Sequence, residues 1–512
     1  MAAPMSRAGI RFRKYAILLH RWLGVCFCAL FALWFVSGIV LMYWTYPEVG
    51  AAERLARSAP LDAAQVRIPP EQAFARLQLD GPPARARLTM LDGRPVYRFL
   101  WNGDPFLVHA DTGDPVEEIP AAMARRIASE WTGQPAAAAL QSTLDAQDQW
   151  TVSEEFSALR PFWKYRWPDG EEVYVSQVTG EVAQYTTRGS RLGAYLGAIP
   201  HWLYFTPLRR RGSLWNRVVV WSSGAGTIVS LLGLTVGLLL YSPSQKRYRF
   251  PRGRSGIPYA GQKRWHTILG LIFGLVTCTW VFSGMLSMDP FGWEEGARTA
   301  VGRTLRGRPS LPGFAAKSPA EALRQAASGL RVKELDLASF SGEPVYVASE
   351  SPGRSLVIPV NGAPHRAFPR DRVMALVGQA SRPFRVAETR LVDRYEAYYL
   401  DRHGERPLPV LFVRLDDQAG SMYYIDLRTA RVVQSYTGTS RMNRWLYHGL
   451  HSMDLPWLYR HRPAWDLVVL TLMLGGTALS VTSLVIAWRR LRHKLGMWRA
   501  RTETVPRKQI MA

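Results

Sequence analysis

Four long segments without a charged residue constrain the fold of this chain most strongly. They cover residues 22–47, 218–245, 265–288 and 467–488. A helix needs about 20 apolar residues to cross the hydrocarbon layer of a bilayer, and each segment is at least that long. The sequence therefore predicts an integral membrane α-helical protein with four transmembrane helices.

The positive charge of the chain lies beside these segments. The formal net charge is +24, which would suit a nucleic-acid-binding protein if it covered one face. Instead, five Lys/Arg lie in residues 1–21, seven in 242–264 and eight in 489–512, with a single acid among the three stretches. Lys and Arg near the ends of spans mark the cytoplasmic side. We therefore expect membrane lipid and no nucleic acid as partners, with both termini in the cytoplasm.

The predicted organisation alternates membrane segments with long outer regions. The transmembrane segments are 15–46, 216–241, 265–288 and 465–488. The cytoplasmic parts are the N-terminus 1–14, the basic loop 242–264 and the basic tail 489–512. The outer parts are two regions, 47–199 and 289–440, with two His-bearing segments that precede spans, 200–215 and 441–464.

The two outer regions are expected to be small α+β modules. Helical stretches at 70–77 and 319–327 precede strand-like runs such as 96–101, 106–110, 172–177 and 182–185, which are separated by turn residues. Neither region contains a nucleophile–base motif or a phosphate-binding loop. We expect them to serve as binding or scaffolding modules.

The two halves of the chain match each other over most of their length. An offset of 246 relates the first and third spans, and an offset of 250 relates the segments before the second and fourth spans. The matched pairs include His20 with His266, Ser37-Gly38 with Ser283-Gly284, His201 with His451, and Arg191 with Arg441. We infer an internal duplication, in which parallel repeats can pack about a pseudo-two-fold axis along the membrane normal.

Five histidines lie at or near membrane level: His20, His201, His266, His448 and His451. Ionisable groups at this depth are costly and suggest function, and imidazole is a haem-iron ligand. Equivalent positions predict one b-type haem between His20 and His266 on the cytoplasmic side and another between His201 and His451 on the outer side. Two alternatives stay open. A histidine of the first or third span could instead pair with one from the segment before the second or fourth span, or the histidines could be ordinary interfacial residues.

Other residues could assist such haems. His448 lies three residues before His451 on the same helical face, as a substitute or second ligand. Cations could neutralise propionates, namely Arg21, Lys263 and Arg264 inside and Arg191, Arg441 and Arg444 outside. Small residues could let a macrocycle approach, although they also mediate plain helix packing; they are Gly24, Gly38, Gly270 and Gly284.

These features together resemble the PepSY-associated transmembrane family of bacterial inner-membrane proteins, which includes iron-regulated membrane proteins and ferric-siderophore reductases. The resemblance rests on the stretch 20–24 with Ser37-Gly38, its repeat at 266–270 with Ser283-Gly284, and the histidine segments before the even spans. The chain departs from the family pattern at Ala430, where glycine is expected, and at Ala198, which replaces His448 of the other half.

The resemblance implies two periplasmic PepSY-like domains and a haem-dependent oxidoreductase in the inner membrane. The implied acceptor is a ferric siderophore or another iron(III) chelate. The chain has no dinucleotide-binding fingerprint, so the electron donor would be separate, either a quinol or a cytoplasmic reductase.

Two other classes of function remain. A haem-free membrane scaffold or regulator that binds a periplasmic partner would explain the spans and modules, but not the recurrence of His20 at His266. A transporter is disfavoured because the spans lack internal acidic residues that would couple ions or protons.

Overall fold

A computed structural model describes residues 7–503, except 252, 294–299, 306, 308–309 and 402–403. Residues 1–6 of the expected N-terminal segment and 504–512 of the expected basic tail therefore lie outside the described residues. The chain forms two compact units. The helical unit comprises Met1–Tyr46, Gly193–Phe291 and Asn443–Ala512, and the β-rich unit comprises Pro47–Leu192 and Gly292–Met442.

The helical unit contains four helices that are long and apolar enough to cross a membrane. In chain order, these membrane helices are Arg7–Leu41, Gly212–Leu240, Gly261–Leu286 and Ala464–Met497, the last of which continues as helix to Glu503. The first packs mainly against the second and fourth, and the third also packs against the second and fourth. The four helices therefore form a ring in which the first and third lie diagonally opposite and meet through side chains across the centre.

The membrane helices begin and end at different residues from the predicted segments. The first starts at Arg7 and the fourth runs on to Glu503, because their basic flanks are rich in Lys, Arg and Leu, which favour helix. The second ends at Leu240, shortly before Pro243, since the residue preceding a proline avoids the helical region.

Short helical elements precede the second and fourth membrane helices. Before the second lie helices Arg188–Leu196, Ala198–Trp202 and Thr206–Arg209. Before the fourth lie helix Gly438–Arg444, a π-helical turn at Trp445–Gly449 and helix Pro456–Tyr459. A π-helical turn displaces the following residues along the helix and is frequent at functional sites.

The β-rich unit contains strands from both halves of the chain. Those of the first half are β1 Arg85–Leu91, β2 Arg94–Trp101, β3 Asp104–His109, β4 Pro115–Val116, β5 Leu140–Leu144, β6 Phe162–Arg166, β7 Glu172–Ser176 and β8 Val182–Thr186. A hairpin of the helical unit supplies β9 Tyr248–Phe250 and β10 Gly253–Ser255. The second half contributes β11 Glu334–Phe340, β12 Glu343–Ser351, β13 Arg354–Pro359, β14 Val386–Val392, β15 Val410–Leu415, β16 Met422–Asp426 and β17 Arg431–Tyr436.

These strands form three antiparallel sheets in the β-rich unit. One seven-stranded sheet has the order β13-β12-β11-β1-β2-β3-β4, and two four-stranded sheets have the orders β5-β6-β7-β8 and β14-β15-β16-β17. The helices of this unit are Ala51–Arg57, Pro70–Ala75, Ala121–Thr132, Ala300–Leu305, Pro319–Ala326 and Arg370–Ala380, with 3₁₀ turns at Ala136–Ala138, Glu154–Leu159 and Leu311–Ala316. The expected α+β character of the outer regions is confirmed.

The two halves meet in the seven-stranded sheet, where β1 pairs with β11 and Arg87 lies opposite Asp336. Arg87 forms ion pairs with Glu181 at 2.6 Å and with Glu334 at 3.2 Å. The buried Arg98 donates to the carbonyl of Thr179, next to the turn that carries Glu181. Burial alone raises the pKa of Glu181, but the charges of Arg98 and Arg87 lower this pKa to about 2.

Candidate functional site

His20 and His266 lie next to each other inside the helical unit. They come from the first and third membrane helices, and their ring centroids are 6.2 Å apart with planes inclined by 31°. Nδ1 of His20 lies 3.0 Å from the carbonyl oxygen of Val229. A carbonyl only accepts, so Nδ1 carries the proton and Nε2 is the nitrogen with a lone pair.

His266 is held by hydroxyl groups of the fourth membrane helix. Its Nδ1 lies 3.2 Å from Oγ1 of Thr482 and 3.3 Å from Oγ of Ser483. Both hydroxyls also donate to the carbonyl of Leu479. A hydroxyl whose proton is used in this way presents its lone pairs to Nδ1, so the second ring is fixed in the same tautomer as the first.

His201 and His451 form a second pair in the helical unit. His201 belongs to the short helix Ala198–Trp202, and His451 follows the π-helical turn. Their ring centroids are 6.0 Å apart, with planes inclined by 59°. Nδ1 of His201 lies 3.1 Å from the carbonyl of Trp34, and Nδ1 of His451 lies 3.1 Å from the carbonyl of Trp280. Corresponding residues of the two halves therefore make the same contact.

The recurring Ser-Gly dipeptides lie against this second pair. The hydroxyl oxygens of Ser37 and Ser283 are 3.3 and 3.1 Å from Nδ1 of His201 and His451, respectively. The glycines that follow allow the close approach, because a Cβ at Gly38 would lie 3.1 Å from Cε1 of His201. At Gly284, a Cβ would lie 3.4 Å from Cε1 of His451.

The other two glycines singled out in the sequence do not contact the histidine rings. A Cβ at Gly24 would meet nothing within 4 Å, and a Cβ at Gly270 would meet only Leu479, at 3.9 Å. Gly233 has that role instead, since a Cβ there would lie 2.7 Å from Cε1 of His20. The sequence contains one indication of this role, because at the offset of 250 Gly233 matches Ser483, which contacts His266.

The geometry of both pairs suits one metal ion between two imidazoles. With Nδ1 committed to hydrogen bonds, a metal would be bound by Nε2. Metal–imidazole bonds of about 2 Å on opposite sides of one ion separate the ring centroids by roughly 6 Å. Among the described residues, no group of three or more His, Cys, Asp or Glu could hold a metal. Two protein ligands suit a haem iron, because the macrocycle supplies the remaining four.

His448 lies beside Tyr447, whereas His451 is the residue whose ring faces His201. The ring of His448 lies against that of Tyr447, with centroids 4.4 Å apart and planes inclined by 42°, and the ring of Tyr447 in turn lies 5.7 Å from that of His451. The corresponding residues of the first half are Gly197 and Ala198. Tyr447 and His448 therefore make the surroundings of this pair different in the second half.

The proposed propionate partners lie in different places. Arg191 and Arg441 belong to the β-rich unit, where they donate to the carbonyls of Gly170 and Gly420. Arg444 belongs to the helical unit, donates to the carbonyl of Asp454 and has a buried Nη1 without a hydrogen-bond partner in the described part of the chain. Near the first pair, Arg264 donates to Ser255, whereas Arg21 and Lys263 are exposed.

A comparison with models of protein families identifies the family of this chain. A model of the PepSY-associated TM region matches residues 17–377, which is more than half of the chain. The chain belongs to this PepSY-associated family. The resemblance drawn from the sequence is thereby confirmed, and the match includes His20, His201 and His266. A search of curated proteins found no match.

Proposed function

We propose that this PepSY-associated protein is a b-type haem oxidoreductase of the bacterial inner membrane. It would pass electrons to a periplasmic ferric siderophore or another iron(III) chelate. The observation that carries the proposal is the presence of two histidine pairs with ring centroids 6.2 and 6.0 Å apart, each ring held through Nδ1.

The positions of the pairs support transfer across the membrane. His20 and Ser37 mark the two pairs on the first membrane helix, and 17 residues of helix correspond to about 25 Å. That length is most of the ~30 Å hydrocarbon layer. We propose one haem at each pair, so that a separate quinol or cytoplasmic reductase delivers electrons at one face and the acceptor takes them at the other.

The roles of this chain's own residues follow from their contacts. A haem at each pair would supply reversible one-electron chemistry. His20, His266, His201 and His451 would bind its iron. The carbonyls of Val229, Trp34 and Trp280 keep the proton on Nδ1, and such partners raise the basicity of the bound nitrogen. The iron(III) chelate would accept one electron and become the iron(II) chelate, whose metal is more weakly held.

The proposal also includes the arrangement in the membrane. Both termini and the 242–264 loop would lie in the cytoplasm, since the Lys/Arg excess lies there. The β-rich unit would then be periplasmic. The matching contacts of Ser37 with His201 and of Ser283 with His451 support a tandem duplication as the origin of the two pairs.

Absorption spectra of detergent-purified protein, oxidised and then reduced with dithionite, test this function. We expect about two low-spin b haems per chain, with about one lost in His20→Ala and about one in His201→Ala. His493→Ala is the control, because His493 is exposed on the fourth membrane helix. A haem-free preparation from haem-sufficient cells would contradict the proposal and favour the scaffold alternative.

The acceptor is tested separately under anaerobic conditions. Protein reduced with a stoichiometric amount of dithionite should be reoxidised on mixing with a ferric siderophore. The gallium(III) complex of the same siderophore is the control, because gallium(III) cannot accept the electron. Reoxidation that is equally slow with both complexes would exclude the iron chelate as the acceptor.

A further inference from the structure

We infer that Arg490 and Lys494 bind the headgroup of an anionic phospholipid at the interface of the first and fourth membrane helices. The guanidinium carbon of Arg490 lies 4.9 Å from the ring centroid of Trp22, and Nζ of Lys494 lies 4.1 Å from it. Residues four apart share one helix face. The indole of Trp22 on the first membrane helix therefore contacts two cations of the fourth membrane helix.

Neither cation of this pair forms an ion pair with a carboxylate among the described residues. Residues 1–47, 193–288 and 467–502 contain no Asp or Glu, so the nearest carboxylate in the sequence, Glu503, lies nine residues beyond Lys494. Nε of Arg490 is buried and has no hydrogen-bond partner among the described residues. A buried donor without an acceptor is costly, and cation–π contact with Trp22 supplies no acceptor oxygen. An external anion would compensate the two charges by accepting from Nζ of the exposed Lys494 and from the partly exposed guanidinium of Arg490.

The neighbouring surface favours a lipid over an acidic protein. Next to the two cations, the fourth membrane helix exposes apolar side chains, with Trp488 at 68%, Leu491 at 41% and Leu495 at 59% of their full accessible surface. A surface that combines cations with exposed aliphatic and indole groups matches a molecule with an anionic head and acyl chains. Basic sites between membrane helices are typical places for anionic lipid headgroups.

The test uses the full chain and two matched double variants. Arg490→Gln with Lys494→Gln removes the pair at Trp22, whereas Arg489→Gln with Arg492→Gln removes the same charge from the same turns of the helix. Protein in neutral detergent is titrated with dioleoylphosphatidylglycerol or cardiolipin, with dioleoylphosphatidylcholine as reference, and bound lipid is counted by native mass spectrometry.

We expect the first double variant to bind anionic lipid roughly 10- to 30-fold more weakly than wild type, since each cation near a headgroup contributes about a factor of five. The second should stay within about twofold of wild type. Equal weakening in both variants, which indicates diffuse attraction, or no weakening in either would overturn the inference. The second result would leave an acidic protein as the candidate ligand.

A further variant separates lipid binding from folding. Trp22→Leu keeps both cations and removes the ring that holds them together, and we expect about threefold weaker binding, since a cation–π contact is worth about that much. Wild-type affinity in Trp22→Leu would contradict the site even if the double variant proved unfolded by circular dichroism. None of these readouts depends on haem.

Discussion

The hydroxyl of Ser283 helps to hold one ring of the second histidine pair. It is fully buried, donates to the carbonyl of Trp280 and lies 3.1 Å from Nδ1 of His451. We expect Ser283→Ala to weaken haem binding at this pair by roughly 10-fold or more, as for other partners of metal-bound histidines. Haem retained after gel filtration measures this, with Ser287→Ala as control because its exposed hydroxyl donates to the backbone carbonyl of Gly284. Equal retention in both variants would contradict the role.

Gly233 is the corresponding sensitive residue at the first pair. An alanine methyl would lie 2.7 Å from Cε1 of His20, which the carbonyl of Val229 holds in place. We expect Gly233→Ala to displace the imidazole and to reduce the haem content by about one per chain. Gly237→Ala is the matched control, one turn further along the helix, because its methyl would meet only the flexible side chain of Leu271, at 3.3 Å. Full haem content in Gly233→Ala would disprove the steric argument.

Some features of the histidine site could be predicted from the sequence, and others could not. The pairings of His20 with His266 and of His201 with His451 follow from equal positions in matching halves, since such residues meet across a pseudo-two-fold axis. The contact of His20 with the carbonyl of Val229 could not be predicted, because every residue has a carbonyl and only the packing of the helices decides which one contacts a ring. The haem itself stays a prediction.

At the scale of elements, close packing at Gly476 joins the first and fourth membrane helices. A methyl there would overlap the buried ring of Phe35. We expect Gly476→Ala to lower the free energy of unfolding by about 1–3 kcal/mol through overpacking. Adding Phe35→Leu in a double variant should restore part of that free energy. Thermal unfolding in detergent measures both. Gly496→Ala, whose methyl meets nothing within 4 Å, is the control, and additive effects of the two changes would contradict direct contact.

Hydropathy predicted the existence of the membrane helices better than their ends. It reports only the part that lies in hydrocarbon, whereas Arg7–Leu41 and Ala464–Glu503 continue as helix through basic residues. The π-helical turn Trp445–Gly449 could not be predicted either, because a change of the backbone hydrogen bonds from i→i+4 to i→i+5 leaves the local composition unchanged. That turn ends two residues before His451, so the geometry of this element helps to position the ring.

At the scale of the whole molecule, the β-rich unit joins both halves in one sheet. The sequence indicated separate modules at 47–199 and 289–440, but β1 and β11 pair directly. Arg85 and Arg87 on β1 form ion pairs with Asp336 and Glu334 on β11. Local patterns cannot show which distant strands pair, and the complementary charges become informative only when the strands are known to be adjacent.

The ion pairs at this junction should make the β-rich unit sensitive to acid. Although burial opposes its ionisation, Glu181 has a folded-state pKa of about 2 because of the charges of Arg98 and Arg87. Its pKa is 4.5 without the fold. A carboxyl whose folded pKa is depressed stabilises the protein fully above the unfolded value and loses this contribution as the pH falls through the folded value. The loss should therefore begin below about pH 4.5 and approach completion near pH 2.

Glu181→Gln tests this dependence, because the amide has the same shape and does not titrate. At pH 7 we expect a loss of about 3–5 kcal/mol, since the buried Arg98 loses the carboxylate beside it and Arg87 keeps its ion pair with Glu334 but loses the one with Glu181. Between pH 5 and 2.5, the midpoint of thermal unfolding should fall less steeply than in wild type, whereas Glu118→Gln, at an exposed position, should follow the wild-type curve. Parallel curves for Glu181→Gln and wild type would contradict the role of Glu181 in the acid sensitivity of the junction.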